Sequence, residues 1–350
     1  MEFDVIVIGG GAAGLMCAQT AGQRGRRVLL LESARKVGKK ILISGGGRCN
    51  FTNMEAGPEN YLSENAHFCK SAFQRYTAWD FIDLVEAHGI SYHEKTLGQL
   101  FCDESSRQIV AMLLEECRKG KVEIRTDCKI TSVKKEGQFL VETEAGSFQA
   151  ESLVVAAGGL SIPKMGASPF GHNLARQFGL KLVECKPALV PFTFSGDDLE
   201  RYGDLSGLST QVVVTCGRTS FREAMLFTHK GLSGPAILQI SSYRKAGDTL
   251  SIDLLPDLDL ASSIEGWRAT RPATEFKTLL SEYLPSRLVQ RLLELHLPNR
   301  PVRQLNARDV ATASELFHHW KVCPGGTEGY RKAEVTLGGV DTDELSSKTF

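Results

Sequence analysis

The turn Gly9-Gly10-Gly11-Ala12-Ala13-Gly14 constrains this chain more than any other stretch. It follows the apolar run Phe3-Asp4-Val5-Ile6-Val7-Ile8 and opens a segment, Ala12 to Gly25, whose pattern predicts a helix. A second apolar run, Val28-Leu29-Leu30-Leu31, ends at Glu32 and Ser33. Strand, G-x-G-x-x-G turn, helix, strand and acid, in that order, form the dinucleotide-binding fingerprint. Gly9 permits the tight turn. Gly11 lets the backbone approach a pyrophosphate. Gly14 lets the helix pack on its strand. Ala12 and Ala13 place their amides in the first helical turn, where unpaired N–H groups and the positive dipole end attract phosphate. Glu32 is positioned to accept hydrogen bonds from a ribose diol.

With 350 residues there is room for two domains. Lys plus Arg number 41, as do Asp plus Glu, so the chain carries no global basic field. This balance predicts a small-molecule substrate and no nucleic-acid partner. No uncharged run is long enough to span a bilayer. Met1 to Asp4 leads almost directly into a strand without a basic leader. The nine cysteines are scattered without a C-x-x-C or paired metal spacing, which predicts free thiols, no metal and a reducing, cytoplasmic setting. Nothing in the sequence sets an oligomeric state.

A second glycine-rich stretch runs from Arg35 through Lys40 to Ser44-Gly45-Gly46-Gly47-Arg48-Cys49-Asn50. Its successive glycines offer another close approach of backbone to ligand, and Lys40 and Arg48 could neutralise phosphate. Behind the first fingerprint, this G-G-G-R-C-N sequence resembles the BaiN/YhiN-like family of NAD(P)/FAD-dependent oxidoreductases, the HI-type flavoprotein family. The resemblance implies that Lys40, Ser44, Gly45, Gly46, Arg48, Cys49 and Asn50 lie along an FAD.

Further along, the pattern from about Asn65 to Gly120 is mainly helical, interrupted by an extended piece from Ile90 to Phe101. Phe73, Tyr76, Trp79 and Phe81 recur at near-helical intervals and are expected in the core. His93 and Cys102 stand isolated and receive no chemistry. A strand at Val122 to Arg125 precedes a meander over Lys129 to Ala150, and Leu153-Val154-Val155-Ala156-Ala157-Gly158-Gly159 is a buried strand ending in glycines. This order is similar to flavoproteins with two dinucleotide-binding domains. It implies that Ile130 meets the adenine and that Ala157, Gly158 and Gly159 approach the cofactor. The punctuated loop Ser161 to His172 either shapes the pocket or simply connects strand to helix.

Composition shifts near Pro187. Short strands fill 187–256 and helical patterns fill 260–322, together an insert over 187–330. Within it, Phe227-Thr228-His229-Lys230-Gly231-Leu232-Ser233-Gly234-Pro235 resembles a motif of the same family. Ser233 is expected to start a helix with proline in its first turn. Thr228, His229 and Ser233 either face a substrate or fix a tight turn. The closing Glu334-Val335-Thr336-Leu337-Gly338-Gly339-Val340 resembles a family motif that returns to the cofactor, implicating Gly338 and Gly339. The family pattern continues into a further strand and a glycine-rich helix, and the sequence stops at Phe350 before them. That departure predicts an incomplete flavin-ring site.

The fold expected is therefore α/β. A Rossmann-like FAD-binding domain comprises 1–186 and 331–350 and carries the β-rich and helical insert. The function expected is hydride transfer through FAD, with NAD(P)H as a transient donor, because no second G-x-G-x-x-G follows a later strand. An oxygen-using amine or amino-acid oxidase and a non-catalytic flavin-binding module are the two other readings.

Overall fold

The computed structural model describes residues 2–349. The chain forms two compact units: Met1–Cys185 with Gly338–Phe350, and Lys186–Leu337.

The first unit opens with β1 (Glu2–Ile8), α1 (Ala12–Gln23), β2 (Val28–Leu31), α2 (Lys39–Ile43) and β3 (Asn50–Asn53). Then come α3 (Lys70–Arg75), α4 (Ala78–Ala87), β4 (Tyr92–Glu94), β5 (Gln99–Cys102) and α5 (Arg107–Lys119). It continues with β6 (Glu123–Arg125), β7 (Ile130–Glu136), β8 (Gln138–Thr143), β9 (Gly146–Val155) and α6 (Phe170–Gln177). Its main sheet has the order β6-β2-β1-β9-β8-β7. β6, β2, β1 and β9 are parallel neighbours, and β8 and β7 complete an antiparallel meander. The end of β1, from Val5 to Ile8, and all of β2 read as unbroken apolar runs because both faces are covered. Val7, Val28 and Leu30 pack on one side with Leu15 of α1 and Met112 of α5. Ile6, Ile8, Leu29 and Leu31 pack on the other with Val133, Val141 and Phe148. A separate three-stranded sheet has the order β3-β5-β4.

The helical stretch after Asn65 is broken where the sequence pattern runs on. Thr77 and Asp80 form a reciprocal capping box that starts α4 afresh. The break turns two of the expected core aromatics outward: Tyr76 is exposed, and Trp79 is 57% exposed.

The second unit runs from the end of β10 (Leu182–Ala188) through β11 (Phe192–Thr193), α7 (Gly196–Tyr202), β12 (Ser209–Cys216), β13 (Thr219–Phe227) and β14 (Gly231–Ser233). Next are α8 (Pro235–Ser241), β15 (Leu250–Asp253), α9 (Leu260–Thr270), α10 (Phe276–Leu280), α11 (Ser286–His296) and α12 (Ala307–His318). β16 (Trp320–Val322), β17 (Gly326–Thr327) and β18 (Val335–Val340) close it. Seven strands form one sheet in the order β16-β15-β12-β13-β14-β11-β17. Leucines of α10 and α11 at helical spacing pack with Phe227, Ile237, Phe317 and Trp320 in a single core. Pro285 sits at the N-cap of α11 and separates it from α10. β10 and β18, the two strands in which the chain passes between units, pair with each other.

Candidate functional site

At the C-terminal edge of the parallel strands lies a cleft of ≈ 490 Å³. Residues 8–13, 31–33, 128–130, 156–159 and 165–168 form its walls, with Lys36, Phe170 and the start of α2. This is where ligands bind in open α/β sheets.

The glycines of the first turn divide into two kinds. Gly9 has φ +107°, and a Cβ there would lie 2.4 Å from the Ala156 carbonyl oxygen. A Cβ on Gly14 would lie 1.8 Å from the Gly9 oxygen. Both are required by the protein's own packing. A Cβ on Gly11 would meet nothing within 4 Å, so its bareness faces open cleft. Gly11 is also the N-cap of α1 and provides no side-chain cap. The first-turn amides of Ala12 and Ala13 therefore have neither an intrahelical acceptor nor a cap. Exposed amides at the start of a twelve-residue helix, beside Lys36, Lys39 and Lys40, suit a pyrophosphate. The Lys40 residue is exposed, yet the nearby protein partly desolvates its ammonium and lowers its pKa.

Glu32 does more than wait for a ribose. Its Oε2 accepts the Gly10 amide at 2.7 Å and its Oε1 accepts the Ala34 amide at 2.7 Å. The Ser33 hydroxyl donates to the same Oε1 at 3.3 Å. The carboxylate thus braces the glycine turn, which is further held by the Gly38 amide donating to the Gly10 carbonyl at 2.7 Å. Ile130, Ala157, Gly158 and Gly159 also line the cleft. Sequence reasoning missed Lys36, Lys39 and Gly38 as wall residues. Of the two readings of the loop Ser161 to His172, pocket-shaping or plain connection, the wall position of residues 165–168 favours the first.

The second glycine-rich stretch has a different setting. Ser44 to Asn50 follow directly from α2, whose residues Lys39, Lys40 and Ile41 are in the cleft wall, but they do not line the cleft themselves. The Ser44 hydroxyl donates to the Ile41 carbonyl at 2.8 Å. Gly45 and Gly46 are left-handed, with φ +56° and +66°. Cys49 is buried in the apolar core, and burial pushes its thiol up. Its amide donates to the Ser44 carbonyl at 3.0 Å. Cys102 is buried in the same cluster, and its thiol is pushed up to about 11 by burial and by Cys49 beside it. Arg48 donates to the main-chain carbonyl of Asp103, and Cys102 donates its amide to the Arg48 carbonyl. Asn50 is exposed at the start of β3.

Gly338 and Gly339 lie in β18, away from the cleft wall. A Cβ on Gly338 would be 2.2 Å from the Glu184 carbonyl oxygen, so strand contact accounts for this glycine. Thr228, His229 and Ser233 belong to the second unit. Thr228 Oγ1 accepts the Lys230 and Gly231 amides at 3.2 and 3.1 Å, which fixes the β13–β14 turn. His229 is exposed. Ser233 does not start the helix: it is the last residue of β14, and Gly234, with φ +90°, is the N-cap of α8. A Cβ at position 234 would be 2.7 Å from the Ala224 oxygen, which is why glycine takes the cap. Among the described residues there is no metal-binding cluster, and no helix is long and apolar enough to cross a membrane.

A family model described as the HI0933-like protein Rossmann domain matches residues 3–350. The chain is 53% identical over 352 residues to an Escherichia coli protein named ribosomal RNA dihydrouridine synthase, covering 100% of this chain and 88% of that one. A Haemophilus influenzae protein of the same name is 45% identical, with 99% and 88% covered. A Clostridium scindens 3-dehydro-bile acid delta(4,6)-reductase is 27% identical, with 98% and 88% covered. Among solved structures, a glycine oxidase from Geobacillus kaustophilus aligns at 14% identity over 62% of this chain and 64% of that one, with a TM-score of 0.39. The first two names overturn one expectation. Equal counts of charge predicted a small-molecule substrate and no nucleic acid, whereas those relatives are named for action on ribosomal RNA. A net charge of zero is an average and sets no limit on a local RNA-binding surface.

Proposed function

The chain belongs to the HI0933-like Rossmann flavoprotein family, with FAD as its cofactor, and from that premise we propose that it reduces a uracil base of ribosomal RNA to dihydrouracil. The observation that carries this reading is 53% identity along the whole chain to a ribosomal RNA dihydrouridine synthase. The more distant bile-acid reductase supports the same chemistry. Both names describe hydrogen added across a carbon–carbon double bond conjugated to a carbonyl. Such a reduction needs a hydride at one carbon and a proton at the other.

FAD fits the residues present. The bare Gly11, the uncapped amides of Ala12 and Ala13, and the lysines of the wall suit its pyrophosphate. Glu32 holds the turn and keeps lone pairs for a ribose hydroxyl. Ile130 would meet the adenine, and Ala157 to Gly159, which line the same cleft, would approach the cofactor. Lys40, Ser44, Gly45, Gly46, Arg48, Cys49 and Asn50 would continue the binding surface beyond α2. Gly338 and Gly339 hold the returning strand. When bound, FAD supplies two-electron hydride chemistry. A reduced nicotinamide nucleotide would supply its electrons.

The test is to incubate the FAD-loaded protein with NADH or NADPH and unmodified ribosomal RNA, then to analyse digested nucleosides by mass. A nucleoside heavier than uridine by two hydrogens, dependent on the nicotinamide, is the expected outcome. Unchanged RNA, with ready reduction of a steroid dienone, would replace this reading with the small-molecule reductase.

A further inference from the structure

The cleft wall holds no histidine. Glu32 is occupied with backbone amides, Cys128 is buried, and the other titratable wall residues are lysines. Three histidine–carboxylate pairs occur among the described residues. His88 meets Glu116 in a largely buried network shared with Lys119 and Gln23. His318 meets Asp253 within the second unit, at 3.0 Å. The third pair is His93 and Asp103, with Nδ1 to Oδ1 at 2.7 Å and nearly half of each side chain open to solvent.

This third pair is tied to the glycine stretch that follows α2. β4 and β5 place His93 opposite Phe101, and β3 places Asn50 on the other side of Phe101. The His93 ring stacks on Phe101, with centroids 6.3 Å apart and an interplanar angle of 20°. The other contacts of Phe101 tie it to the glycine stretch: a Cβ on Gly45 would lie 2.7 Å from its ring. Arg48 of that stretch holds the carbonyl of Asp103. Lys95 lies over the same Phe101 ring, 5.3 Å from its centroid. The pair, the aromatic ring and the left-handed glycines form one assembly that begins where α2 leaves the cleft.

Resting on the functional reading above, we propose that His93 is the acid that protonates the reduced base, with Asp103 as its positioning residue. Asp103 fixes Nδ1 and leaves Nε2 to face the substrate. In the reaction the C5–C6 π bond of the uracil breaks. A hydride forms one new C–H bond, and the proton released from imidazolium Nε2 forms the other. The electron pair comes from the reduced nicotinamide nucleotide, which is oxidised, and solvent returns the proton to His93. The charged groups facing the ring are Asp103 directly and Arg48 and Lys95 through Asp103 and Phe101.

The experiment compares the FAD-loaded full chain with H93Q and D103N. D103N leaves the Arg48 contact in place, because Arg48 binds the main-chain carbonyl, so it loosens the pair without untying the glycine stretch. Both variants are expected to show wild-type flavin absorbance and wild-type flavin reduction by NAD(P)H, which needs no acid at carbon. Dihydrouridine formation should fall by about 10²-fold or more in H93Q and less in D103N. The alkaline limb of the wild-type pH–rate profile should flatten in H93Q. H93Q that makes dihydrouridine at the wild-type rate and with the wild-type pH profile overturns this assignment alone. A wild-type protein that makes none sinks the functional reading and the assignment with it.

Discussion

The two glycine-rich stretches of the first unit look alike in sequence and differ in what their glycines answer to. In the first, Gly9 and Gly14 answer to the fold: a side chain at either would run into main-chain oxygen. Gly11, between them, answers only to open cleft. In the second, Gly46 and Gly47 have nothing within 4 Å of a Cβ position, and only Gly45 is pressed, against Phe101 and Asn50. The first stretch is a rigid cradle that the protein needs even without ligand. The second is held mainly by Arg48 and Ser44 at its ends and owes its glycines to backbone conformation. Glycine spacing alone therefore does not distinguish a residue needed for folding from one needed for binding.

Four changes can break or sharpen this contrast. The largest effect is expected from Gly14→Ala, whose methyl would displace the start of α1 from the Gly9 carbonyl. A loss on the order of 3 kcal/mol in denaturant unfolding should accompany loss of FAD. An unchanged unfolding midpoint would show that the turn relaxes and that the cradle is not rigid. Next is the carboxylate that locks α1 to α5. Glu116 accepts from Lys119, His88 and Gln23, and these bonds hold its pKa down at about 2, against 4.5 ordinarily. A depressed carboxylate stabilises above its unfolded pKa, so this contribution is complete above about pH 4.5 and declines as pH falls toward 2. Thermal melts should show Tm falling through that window, and E116Q should lower Tm at pH 7 and flatten the decline.

Gly11→Ala separates binding from folding. Its melting temperature should match wild type, while FAD affinity measured by flavin fluorescence should fall about tenfold, or ~1.4 kcal/mol. Equal affinity would mean that the pyrophosphate does not approach Gly11. The smallest effect is expected from Gly46→Ala. It meets no atom, and its cost of about 1 kcal/mol comes from the left-handed backbone alone. A larger loss in the unfolding curve would reveal packing around the second stretch.

Much of the first unit was legible because its signals are local. The strand–turn–helix–strand fingerprint, the meander before Leu153 and the glycines at 158 and 159 each follow from runs or turns within a few residues. What escaped depended on register. His93 and Asp103 lie ten positions apart and meet only because β4 and β5 pair, so His93 looked isolated. The run Ser233-Gly234-Pro235 made the helix start legible, but not that Gly234 is its cap. The crowding at Ala224 that demands Gly234 comes from a neighbouring strand. Trp79 was assigned to the core by spacing, and the Thr77–Asp80 box then reset the helix and left it outside. The RNA expectation failed for a different reason: charge totals carry no information about where charges sit.

The pairing of β10 with β18 has an evolutionary consequence. In the first unit, the Asp341 amide donates to the Lys181 carbonyl at 3.0 Å, and Gly338 abuts Glu184. The chain thus leaves this unit and re-enters it at adjacent points of one ribbon. A segment inserted at such a point can be lengthened, shortened or exchanged by recombination while the flanking strands keep their register. The nucleotide-holding half can then be inherited nearly unchanged while the interrupting half drifts toward new substrates.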